Sequence, residues 1–206
     1  MASDSFRVLG LAGGIGSGKS AVAAILGELG FVVSDSDAGA RAVLEQAEVV
    51  AELVEAFGRD VLDASGKPDR KAIADAVFGD DARRRTLERI VHPRLHAVRA
   101  QLIEVARADG AAGVVIDAPL LFEAGVDAEC DAVIFVDTPR AIRLARVVDR
   151  RGWTEAELAR RETAQMPLDQ KRQRSDQVVI NSGDLDALRV RVKTAVEAIK
   201  SGRDRP

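Results

Sequence analysis

Gly13-Gly14-Ile15-Gly16-Ser17-Gly18-Lys19-Ser20 fits the pattern G-x-x-x-x-G-K-[ST] and follows directly on the apolar run Val8 to Ala12. Glycines let a backbone take positive φ angles and approach an anion closely, so that successive N–H groups turn inward. A helix predicted from about Gly18 adds unpaired N–H groups and the positive end of its dipole, worth roughly 0.3–1 kcal/mol per charge. Lys19 supplies a full charge for β and γ phosphates, and the Ser20 hydroxyl is placed for Mg²⁺ bridging the same oxygens. The alternative is a plain glycine-rich turn. The strand before, the helix after and the complete pattern favour a nucleoside triphosphate socket.

Outward from that loop, short β-branched runs recur at Arg7 to Leu11, Phe31 to Ser34, Gly113 to Asp117, Ala132 to Asp137 and Gln177 to Asn181. Each is nearly all apolar rather than alternating, which predicts parallel strands covered by helices on both faces. The fold class is therefore α/β, with a five-stranded parallel sheet and its ligands at the carboxyl ends of the strands. Between the second and third runs lie about seventy residues with helical spacing, far more than a crossover helix needs. They predict an inserted helical subdomain, with helices over 38–57, 70–78, 81–90 and 93–108 and a break at Pro93. The expected divisions are a core of 1–37, 111–139 and 175–201, the insertion at 38–110, a basic segment at 140–174 and a tail at 202–206.

The basic segment holds ten basic and five acidic residues, a net +5 in a chain whose formal charge is -3. At 100° per residue Arg140, Arg143, Arg146 and Arg150 share one helical face. Such a row is either a solvated face or the inner side of a lid that closes over triphosphate and excludes water. The overall charge argues against chain-wide attraction to nucleic acid or an anionic membrane. The single Cys130, the absence of metal-binding Cys/His spacing and the lack of a leader-like start point to a reducing, cytoplasmic setting, and no stretch approaches the ~18 apolar residues of a membrane span. Oligomeric state is not legible here.

Three further sets of residues carry possible chemistry. Asp35-Ser36-Asp37 ends the second strand, where a carboxylate either orients an acceptor hydroxyl or caps the following helix. Asp117 ends the third strand, placed to orient Mg²⁺ through water or to cap the Pro119 turn. Glu88, His92 and His96 fall on one helical face, but Pro93 and the missing H-E-x-x-H pattern weigh against a metal; His92 is expected at a helix junction or against the acceptor.

Taken with Gly10 to Ser20, Asp35-Ser36-Asp37 with Arg41, His92-Pro93, Pro119 to Glu123, Gln165-Met166-Pro167 with Lys171, and Val179 to Gly183, the chain closely resembles the dephospho-coenzyme A kinases over its whole length. That resemblance implies a P-loop, adenylate-kinase-like core and transfer of the γ-phosphoryl of ATP, with Mg²⁺, to the ribose 3'-hydroxyl of dephospho-coenzyme A. It implies that Asp37 is the catalytic aspartate, with Arg41 one helical turn on and facing the acceptor. Gly14, Ile15, Gly16, Ser17, Gly18, Lys19, Ser20 and Ala21 match the ATP loop, Arg146 and Arg150 the lid arginines, and Asn181 to Gly183 the adenine turn. Ala21 stands where many members have Thr. Rival readings are another small-molecule kinase on the same core, for a nucleoside monophosphate or a sugar, and a nucleotide-driven switch; no N-K-x-D guanine signature supports the last.

Overall fold

The computed structural model describes residues 6–202, so most of the expected tail lies outside the described residues. Five strands, β1 (Arg7–Gly13), β2 (Phe31–Asp35), β3 (Gly113–Asp117), β4 (Ala132–Asp137) and β5 (Gln177–Ile180), form one sheet in the order β2-β3-β1-β4-β5, every pair parallel. The expected runs match these strands to within two residues at each end. The connection after β1 leads to one side of it and the connection after β3 to the other, so the winding reverses at β1, where a ligand crevice opens. Register sets Asp35 opposite Asp117 and Asp117 opposite Leu11, lining up two carboxylates along the carboxyl edge.

The chain forms two compact units. The first comprises the residues up to Asp35 together with those from Ile103 onward. In it α1 (Lys19–Glu28) and α9 (Leu185–Lys200) contact each other over the sheet. Leu9, Leu11, Ile134 and Val179 from the strands meet Val22, Leu26 and Val192 from these helices in one buried cluster. Each large aliphatic buried there contributes about 1.5–3 kcal/mol. Val8 and Gly10 are buried on the other face, where a Cβ on Gly10 would sit 2.9 Å from Leu121. Burial on both sides is why β1 shows no alternation. The same unit holds α6 (Arg140–Arg151), α7 (Glu155–Thr163) and α8 (Leu168–Gln173), which make up the basic segment. Thr154 caps α7 by accepting from the Glu157 amide at 3.2 Å, in the spacing of a capping box.

The second unit spans Ser36–Leu102. It contains α2 (Ser36–Leu44), α3 (Ala47–Phe57), α4 (Arg70–Val77) and most of α5 (Asp81–Ala108) around Val43, Val49, Leu53, Val61, Ile73 and Ile90. Two expectations are corrected here. The span 38–57 is two helices, because Gln46 takes an extended conformation between them. Pro93 does not break the helix: α5 runs through it. Proline removes one N–H and disturbs the ladder over the preceding turn. The Arg94 guanidinium, just past the proline, donates to the Ile90 carbonyl at 2.6 Å and pairs with Glu52 at 2.5 Å, which ties this part of α5 to α3. No helix among the described residues is long and apolar enough to cross a membrane.

Candidate active site

The loop between β1 and α1 is held from outside by side chains and left open inside. Gly16 (φ 76°) and Gly18 (φ 88°) take left-handed conformations that favour glycine. Space makes the same demand: a Cβ on Gly16 would lie 2.7 Å from the Arg143 carbonyl oxygen, and one on Gly18 would overlap the Asn181 side-chain amide.

The loop's carbonyls are all gripped by donors. Ser17 O accepts from Asn181 Nδ2 at 2.8 Å, from Thr138 Oγ1 at 2.9 Å and from Arg146 Nη1 at 3.1 Å. Ile15 O accepts from Arg143 Nη1 at 3.2 Å and Gly16 O from Arg146 Nη1 at 3.3 Å. The amides of Ile15, Gly16, Gly18, Lys19 and Ser20, by contrast, donate to no protein acceptor among the described residues. Free amides beside a helix start form an anion nest. Ser17 Oγ is buried with no partner inside the same turn, a further orphaned donor that fits a phosphate oxygen.

Charge at the loop is in positive excess. Burial pushes the Lys19 ammonium below its ordinary value; Asp117 opposes this, while Lys171 and Arg151 add to it and Glu123 opposes it. Among the described residues the one hydrogen-bond partner of Lys19 Nζ is the Gly13 carbonyl, at 3.4 Å. Burial, and after it the neighbouring Arg150, holds Arg146 below the ordinary arginine value. Cations that burial and like charge destabilise gain most when an anion arrives.

The arginine row divides by role. Arg143 is 4% exposed, paired with Glu162 and bonded to Thr138 O as well as Ile15 O, so its guanidinium is committed to protein partners. Arg140 is exposed and pairs with Glu155 at 2.5 Å. Arg146 touches the loop, and Arg150 is exposed with no hydrogen bond or ion pair among the described residues.

Of the expected site residues, the fold brings together Lys19, Asp117, Arg146 and Asn181 around the loop. Ser20 is exposed in the first turn of α1, and Ala21 packs on the core. The Asn181 side chain is committed to Ser17 and to Arg146 at 3.3 Å, which leaves the backbone at Ser182 and Gly183 as the part of that turn open to a ligand. Asp37 and Arg41 lie one turn apart on α2, both exposed, and His92 is exposed on α5 in a groove it shares with Arg85, Arg89 and Pro93. Among the described residues no group of three His, Cys, Asp or Glu is gathered as a metal site. Sequence reasoning assigned no site role to Arg143, Thr138, Glu123 or Lys171. Arg143 stood in the arginine row and Glu123 and Lys171 in quoted stretches; nothing singled out Thr138.

The dephospho-CoA kinase family model matches residues 7–187. A dephospho-CoA kinase of Corynebacterium diphtheriae is 43% identical over 183 residues, covering 88% of this chain and 92% of its own. One of Deinococcus radiodurans is 43% identical over 194 residues, covering 94% and 93%. The crystal structure of TT1252 from Thermus thermophilus superposes with a TM-score of 0.80 at 39% identity, over 94% of this chain and 97% of its own.

Proposed function

The chain belongs to the dephospho-CoA kinase family and catalyses ATP-dependent phosphorylation of dephospho-CoA in coenzyme A biosynthesis; on that premise we propose how its residues divide the work of moving the γ-phosphoryl to the ribose 3'-hydroxyl. The amides of Ile15, Gly16, Gly18, Lys19 and Ser20 receive the phosphates of ATP. Lys19 balances charge on the β and γ oxygens. Arg146 and Arg150 face the charge that spreads over the transferred group in a loose transition state. Asp37 accepts or orients the 3'-hydroxyl, Arg41 and His92 hold the acceptor, and the turn Asn181 to Gly183 takes the adenine edge.

Mg²⁺ fits this residue set. Ser20 offers an exposed hydroxyl at the start of α1 and Asp117 a carboxylate close enough to act on Lys19, so these two would hold the ion, Asp117 through water. Phosphate oxygens complete a coordination shell that two side chains cannot. When bound, the ion neutralises charge on the β and γ oxygens. The segment 140–174 serves as a lid, 38–110 as the acceptor subdomain, and the protein works in the cytoplasm, a placement supported by its lone Cys130.

The family match over residues 7–187 carries this reading. Incubation with ATP, Mg²⁺ and dephospho-CoA should add the mass of one phosphate to the acceptor, with none added to nucleoside monophosphates or sugars. Transfer to those acceptors instead, or hydrolysis indifferent to any acceptor, would overturn it.

A further inference from the structure

Pro119 to Glu123, which has no part in that reading, and Gln165 to Lys171, near the end of the segment read as a lid, meet beside the phosphate loop. Glu123 follows β3. Its Oε1 accepts from the Met166 amide at 2.8 Å and from Lys171 Nζ at 2.8 Å, and Lys171 Nζ also reaches Gln165 Oε1 at 3.4 Å. Lys171 is 2% exposed, the bulkiest of the fully buried side chains. It belongs to α8, which packs on β1, and Leu168 of the same helix lies against Gly14.

An ammonium buried this fully is a poor choice for packing alone. Well-packed apolar residues commonly replace a buried ion pair without loss of stability. The lysine also sits close enough to the loop to act as a like charge on Lys19. Such a placement is unfavourable in the resting chain and becomes favourable once a polyanion occupies the loop. The Glu123 carboxylate supports both ends of this arrangement, since it meets the ammonium and fixes the backbone where α8 begins.

We propose that Lys171 is a second phosphate-directed cation of the transfer reaction, and that Glu123 is a positioning residue that holds it at the loop and ties the start of α8 to the segment after β3. The inference rests on the kinase reading above.

The test compares Lys171→Met, Glu123→Gln and the double variant, each by thermal melting and by steady-state kinetics with both substrates varied. Lys171→Met should lower kcat/KM for ATP roughly 10²-fold, the scale of removing one preorganised group from a transition state, while KM for dephospho-CoA moves by less than about twofold. Glu123→Gln should lose less, and its effect should vanish in the Lys171→Met background, because it acts through the lysine. Where a single variant folds poorly, the double variant removes both charges and should melt close to the parent while keeping the full loss of kcat/KM. Kinetic constants that recover along with the melting temperature in the double variant would reduce the pair to a structural strut and overturn the proposal. A parent enzyme that fails to phosphorylate dephospho-CoA would instead overturn the kinase reading, whatever the variants do.

Discussion

Around the phosphate loop, Thr138, Arg143, Arg146, Lys171 and Asn181 are each committed to a named partner. In the 36–102 unit, the side chains of Asp37, Arg41 and His92 are exposed and tied by no hydrogen bond or ion pair among the described residues. The proposed division of roles accounts for the contrast. Triphosphate is a dense, invariant charge, and donors fixed before it arrives need not reorganise during the reaction. An acceptor alcohol is neutral and positioned by the rest of its molecule, so the groups that meet it can be ordered by binding. Substitutions on the donor side should therefore cost stability wherever the side chain has a protein partner, and those on the acceptor side activity alone.

The sharpest break lies within the donor side, with Lys19→Ala. Its ammonium is bound only weakly by the protein, so its removal should lower kcat/KM for ATP by about 10³-fold or more with little change in melting temperature. Arg143→Ala should do the reverse. It strands Glu162 and frees the Ile15 and Thr138 carbonyls, a loss of about 3–5 kcal/mol, read as a fall in melting temperature of roughly 2–4 °C per kcal/mol. Arg146→Ala belongs with Lys19 if it meets phosphate and with Arg143 if its bonds to Gly16 and Ser17 are its whole role. Melting and kinetics on these three variants separate the cases.

Asp37→Asn comes next. Positioning or deprotonating an alcohol is worth about 10²- to 10⁴-fold, and we expect the loss to fall below that for Lys19→Ala, because charge neutralisation dominates a loose transition state. With no partner to lose, the exposed aspartate should shift stability by no more than about 0.5 kcal/mol. A melting temperature that drops as far as that of Arg143→Ala would erase the distinction between the two sides.

Much of this was legible in the chain. The loop pattern, five apolar runs and the long helical interval fix the sheet, because parallel strands buried on both faces have a strong local signature. Pro93 misled because α5 runs on through it while Arg94 bonds the Ile90 carbonyl and Glu52 of α3, tertiary contacts that propensity does not encode. Arg143 was left without a role for a related reason. Helical spacing places it in a row but says nothing about Glu162 or the Ile15 carbonyl waiting on that face. Asp37 and His92 drew their expected roles first from their places in the chain, Arg41 from family resemblance alone; among the described residues no hydrogen bond or ion pair of theirs supports or opposes those roles.

A smaller effect concerns pH. Lys19 is held below its ordinary 10.5, chiefly by burial. Between its lowered value and 10.5 the unfolded chain binds more protons than the folded one, so this group's contribution to stability rises with pH across that window. ATP binding has the opposite trend, because it needs the charged form. KM for ATP should climb on the alkaline side below the ordinary lysine value, and Lys19→Arg, which stays charged, should flatten the climb. A profile that stays level in the parent would mean that the ammonium is not a phosphate ligand.

The smallest effect tests whether the basic segment responds to nucleotide at all. Trp153 sits between α6 and α7 with two guanidinium groups over its ring, Arg151 at 4.8 Å and Arg161 at 4.2 Å. Arg161 is also bonded to Glu157, whose carboxyl Arg160 and Arg161 hold at about 2, so that side of the stack stays charged and fixed at any working pH. Arg151 is different. It is one of the cations that act on Lys19, so triphosphate at the loop draws on it directly. Attraction of Arg151 toward phosphate weakens its hold on the indole, an interaction worth about 0.5–1 kcal/mol at an exposed site. Tryptophan emission should therefore shift as Mg²⁺ and ATP saturate the loop, and the shift should shrink in Arg151→Ala while the binding midpoint moves only slightly. Unchanged emission at saturating nucleotide would mean that segment 140–174 keeps its resting arrangement, and that the donor side is complete before ATP arrives rather than closed by it.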